Sequence, residues 1–99
     1  MVAGQTSTDG DVFIWRQGRA EVSLQRDANA WLIRQLSTGR LLSPHQHIYE
    51  ERHKQAKYAA WDVMARVIRV SQDEDEGLLA GREAAKWIRN CGVIEETDD

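Results

Sequence analysis

The sequence predicts an α+β fold: a three-stranded antiparallel β-meander followed by a long α-helix and a shorter C-terminal α-helix. Three observations carry this. Apolar residues alternate with a period of 2 between residues 12 and 36, and recur with a period near 3.6 from residue 45 onward. Gly, Asn and Asp interrupt the alternation where tight antiparallel connections are needed. Residues 45–70 contain neither glycine nor proline, so nothing there breaks a helix. The 99 residues, 41% of them hydrophobic and four of them tryptophan, suffice for one core in one domain.

Residues 1–10 (MVAGQTSTDG) are small and polar and are read as a flexible N-terminus. The single domain is expected over residues 11–92, and residues 93–99 are expected to form a flexible acidic tail. The first strand runs from Val12 to Arg16, where β-branched and aromatic residues gather. Gln17-Gly18 turns the chain into a second strand, Arg19 to Arg26. Asp27-Ala28-Asn29-Ala30 is a second turn, and Trp31 to Leu36 a third strand, closed by Ser37-Thr38-Gly39.

Alternation places Phe13, Trp15, Val22, Leu24, Trp31 and Ile33 on one sheet face, suited to a helix. The other face collects Ile14, Arg16, Arg19, Glu21, Ser23, Gln25, Leu32, Arg34 and Leu36. If the second helix covers that face, its aliphatics are core; if not, it is a flat basic surface.

Ser43-Pro44 supplies an N-cap and a proline at the first helical position, and the long helix is expected to run to about Val70. Its apolar positions cover more than half the helical circumference, so it must be contacted from two directions. The second helix starts after Ser71–Glu76, where Ser71-x-x-Glu74 and Asp73-x-x-Glu76 both have capping-box spacing. It runs to about Asn90 and stops near Gly92, with Arg82, Lys86 and Arg89 on its polar side. Gly77 and Gly81, four apart on the apolar side, suit close helix packing. Three or four of the tryptophans are expected to form one aromatic core.

Little chemistry follows from the remaining motifs. His45, His47, Glu50 and His53 crowd the expected start of the long helix, but a second Glu-x-x-His and paired cysteines are missing, so no metal is expected. Cys91 is the single cysteine and is read as a buried structural thiol. No nucleophile–base motif stands out, so a non-catalytic protein without a cofactor is expected. No leader or long apolar run is seen, which gives the expectation of a soluble, cytoplasmic protein with no membrane partner.

Charge is segregated, although the net charge is only −3. Five bases meet four acids in residues 1–44, five meet three in residues 45–70, and three meet nine in residues 71–99. Every base before residue 41 is arginine, whose planar fork binds phosphate, guanine or carboxylate bidentately. The leading expectation is therefore a nucleic-acid-binding (DNA or RNA) regulatory module. Its binding residues would be Arg16, Arg19, Arg26, Arg34 and Arg40, extended by Arg82, Lys86 and Arg89. The rival expectation is a protein-interaction module (an adaptor, subunit or small inhibitor) that meets an acidic protein surface through the same Arg/aliphatic face. A homodimer through that face or the sheet edge is its simplest form.

Overall fold

Three two-residue turns set the sheet. Gly10-Asp11, Gly18-Arg19 and Ala28-Asn29 lie between directly paired residues: Asp9 with Val12, Gln17 with Ala20, and Asp27 with Ala30. In each turn the first residue alone has a positive φ, +60° at Gly10, +59° at Gly18 and +55° at Ala28. That backbone follows the twist of the flanking strands. Glycine adopts it freely; Ala28 does so at a cost of roughly 1–2 kcal/mol.

The computed structural model describes residues 3–36 and 49–92. It contains one antiparallel sheet with strands in chain order: β1 (Gln5–Asp9), β2 (Val12–Gln17), β3 (Ala20–Asp27), β4 (Ala30–Leu36) and β5 (Tyr49–His53). Two helices follow, α1 (Ala56–Ser71) and α2 (Glu74–Asn90). The α+β class and the antiparallel sheet match expectation, but the sheet has five strands and not three.

Both added strands lie where other structure was expected. β1 falls in the supposed flexible N-terminus; all five of its residues are exposed, so it carries no apolar alternation. β5 falls in the supposed start of the long helix. Its Glu and Arg residues favour helix locally, but cross-strand partners decide the outcome: Glu50 lies opposite Arg34, and Glu51 opposite Ile33. As a result α1 has 16 residues and α2 has 17, so the expected long-then-short order is not found. Ser43-Pro44 and the tail from residue 93 lie outside the described residues.

The register aligns Phe13, Leu24 and Ile33 in one row and Trp15, Val22, Gln35 and Tyr49 in the next. This face packs on Ala59, Val63 and Val67 of α1 and on Ala80, Ala84 and Ile88 of α2. Burying each large apolar side chain contributes roughly 1.5–3 kcal/mol. Helix α1 lies over β3, β4 and β5, while α2 contacts β2. Trp87 of α2 joins the same core, its ring 6.3 Å from Phe13 and 6.0 Å from Trp31. Both helices therefore share one face, and neither covers the face of Arg16 and Arg34.

Asp73 caps α2, its carboxylate accepting from the backbone N–H of Asp75 at 2.9 Å and Glu76 at 3.4 Å. The helices approach closely where α2 has no side chain. A Cβ on Gly77 would stand 2.1 Å from Ile68 Cγ1 and 2.9 Å from the Met64 carbonyl oxygen. Intrinsic propensity alone says that alanine improves a helix by about 1 kcal/mol over glycine. Here overpacking dominates, so Gly77→Ala should lower stability by about 1–3 kcal/mol in urea denaturation.

Candidate functional site

The second face of the sheet carries two of the predicted arginines, Arg16 and Arg34, but it is not a free basic surface. Arg16 Nε donates to Glu21 at 2.8 Å and Arg34 Nε donates to Glu50 at 2.7 Å. Arg52 joins them, 3.0 Å from Asp27 and 3.9 Å from Glu50. By register this face holds three arginines (Arg16, Arg34 and Arg52) and four carboxylates (Asp9, Glu21, Asp27 and Glu50). Exposed pairs of this kind add little to stability, but they cancel charge. Ile14 and Leu32 share the face and are buried, Leu32 to 2% exposure, so its aliphatics are not a bare patch.

The other predicted residues scatter. Arg19 sits in the β2–β3 turn. Arg26 is on the helix side, its guanidinium 4.7 Å from the centre of the Trp31 ring. Its Nη1 is buried with no hydrogen-bond partner among the described residues. Arg82, Lys86 and Arg89 lie on α2, on the side of the sheet away from Arg16 and Arg34. Arg40, His45 and His47 lie outside the described residues. Glu50 and His53 are on a strand, where three residues' separation sends them to opposite faces, and not on one helical face. Cys91 is exposed at the end of α2, not buried.

A different cluster stands out where α1 crosses β5. Alternation turns Tyr49 and His53 toward the helix, and α1 presents Asp62 to both. Tyr49 donates its hydroxyl to Asp62 Oδ2 at 2.7 Å, and His53 Nε2 lies 2.7 Å from the same oxygen. Arg66, one turn further along α1, stacks 4.0 Å from the centre of the Tyr49 ring. Burial pushes the Tyr49 phenol up to about 12, with the hydrogen bond to Asp62 and its charge adding to the effect. The cluster fastens the helix to the strand.

Next to it lies an open groove of about 350 Å³, lined by Glu51 and His53 from β5 and by Tyr58, Trp61 and Ala65 from α1. Trp61 is 72% exposed and Tyr58 52% exposed. Three of the four tryptophans pack in the core, within the expected three or four, and Trp61, which the helical pattern set on the apolar arc, faces outward. Its place at the far end of an over-wide apolar arc was the available signal. The groove also borders a sheet edge: β5 is the last strand of the sheet, and among the described residues β4 is the one strand it pairs with. Among those residues no helix is long and apolar enough to cross a membrane.

No family model, curated protein or solved structure matches this chain.

Tyr49 makes a checkable titration. Its folded pKa of about 12 exceeds the ordinary 10.0, so the folded state keeps the phenol proton longer than the unfolded chain. Stability from this group is full below pH 10 and should fall as pH rises from about 10 to about 12. Near-ultraviolet absorbance titration of the folded protein should show a phenol ionising near that upper value, and Asp62→Asn should bring it down.

Proposed function

We propose that this protein is a small, non-catalytic protein-interaction module whose docking site is the groove between α1 and the edge strand β5. The observation that carries the reading is Trp61, 72% exposed beside the edge of a sheet. Tryptophan and tyrosine anchor interfaces because they bury large areas with little loss of side-chain freedom. An edge strand adds main-chain donors and acceptors that an extended segment of a partner can use. The Tyr49–Asp62–His53 cluster holds both walls of the groove in place, which keeps the cost of ordering them low on binding.

Nucleic-acid binding is the second reading, and its support is the stripe Arg82, Lys86 and Arg89 on α2. The spacing of four and three residues keeps these cations on one helical side. Against it stand the carboxylate partners of Arg16 and Arg34, which leave the sheet with little net positive charge to offer phosphate.

Two assays in parallel separate the readings. Fluorescence anisotropy with duplex DNA and single-stranded RNA at low salt should show no salt-dependent binding. Capture from a lysate of the source organism should retain proteins on the wild type and lose them with Trp61→Ser. Salt-dependent binding abolished by Arg82→Ala/Lys86→Ala/Arg89→Ala, with Trp61→Ser binding normally, would reverse the order.

A further inference from the structure

We infer that the occupant of this site is a second copy of the same chain, joined by antiparallel β5–β5 pairing into one continuous sheet. The inference rests on the interaction reading above and deepens it.

Symmetry restricts the pairing strongly. A two-fold axis perpendicular to the sheet makes the two β5 strands antiparallel and keeps both pairs of helices on one face. Paired residues must then share a face, so the axis has to pass beside a residue and not between two. With the axis at Glu51, Tyr49 faces the partner's His53, and Glu50 faces the partner's Arg52. Arg52 likewise faces the partner's Glu50.

Charge favours this register. Within one chain, Glu50 already receives Arg34 at 2.7 Å. Arg52 of the same chain lies 3.9 Å from Glu50 and 3.0 Å from Asp27, so it is shared between acids already. Pairing at Glu51 adds the partner's Arg52 on the open side of Glu50, and the row reads Arg34, Glu50, then the partner's Arg52. The opposite row repeats this by symmetry. Opposite charges directly across a strand pair are favourable, and like charges there are not. The opposite edge, β1 (Gln5–Asp9), carries one acid and no base, so it offers no such complementarity.

The groove fits the same arrangement. On the helix side the two α1 helices flank the axis, and each copy brings its exposed Trp61 and Tyr58 toward the other. A five-residue strand pair with these aromatics is a small interface, so the dimer is weak and concentration-dependent. One feature opposes it: the two Glu51 carboxylates meet at the axis. Neutralising them should tighten the dimer.

Trans-complementation by charge exchange tests the register. The full chain, its Glu50→Arg and Arg52→Glu variants alone, and their equimolar mixture are compared by sedimentation velocity, with circular dichroism to confirm folding. Wild type should dimerise reversibly, and each variant alone should weaken association by about tenfold or more, since two like-charge pairs replace two opposite ones. The mixture should recover a one-to-one dimer. There the arginine that Glu50→Arg introduces faces the glutamate that Arg52→Glu introduces, and a native Glu50 faces a native Arg52 across the axis. Glu51→Gln should associate more tightly than wild type, and Trp61→Ser more weakly. A wild type that stays monomeric at every concentration overturns the second copy as occupant; if Trp61→Ser still loses captured proteins, the groove reading stands without it. Dimers unchanged by all four substitutions overturn the β5 interface. If capture is also unchanged by Trp61→Ser, the groove reading falls with it.

Discussion

The architecture depends on where Trp87 goes. Its ring packs against Phe13 and Trp31, residues of two different strands on one sheet face. That contact draws α2 onto the face that α1 already covers, and the glycines at 77 and 81 let the two helices sit close enough to share it. The rest of the surface follows by exclusion. Among the described residues no helix lies over the other sheet face, β1 and β5 are the outermost strands, and the outer side of α1 carries the exposed Trp61.

With one face left over, the chain has to manage charged side chains side by side on strands. It does so by alternating sign across the sheet: Arg16 with Glu21, Arg34 with Glu50, and Arg52 with Asp27. Two of the five N-terminal arginines, Arg16 and Arg34, therefore have a structural explanation. A guanidinium can hold a carboxylate across a strand while its stem lies along neighbouring apolar surface, and Ile14 and Leu32 share this face. Exposed aromatic surface and a sheet edge coincide at the border of α1 and β5, the region proposed above as the docking site.

Much of the fold could be read in the sequence, and the parts that could not have physical causes. The inner face from Phe13 to Ile33, the turn at Gly18, the acidic cap of α2 and its end near Gly92 are all local signals, and they are found as expected. β1 could have been found from Asp9-Gly10, since a Gly-X turn between short segments signals a hairpin. β5 could not. Tyr49 to His53 reads as helix by propensity, and it is non-local pairing with β4, with Tyr49 turned onto the core, that makes it a strand. The candidate site was illegible for the same reason. Composition identified arginine as unusual, but whether an arginine is free depends on which acid lies opposite, and that is a matter of register. Trp61 was visible as an apolar residue on a helix; its exposure depended on where α2 would lie.

Amide hydrogen exchange as a function of protein concentration tests the central claim, that β5 and the adjacent groove form the surface through which two copies of the chain would pair. On concentrating the purified protein, the outward amides of β5 should become more protected while those of β1 stay as they were. Protection that does not change with concentration, or that appears at β1 or along α2 instead, would contradict the account.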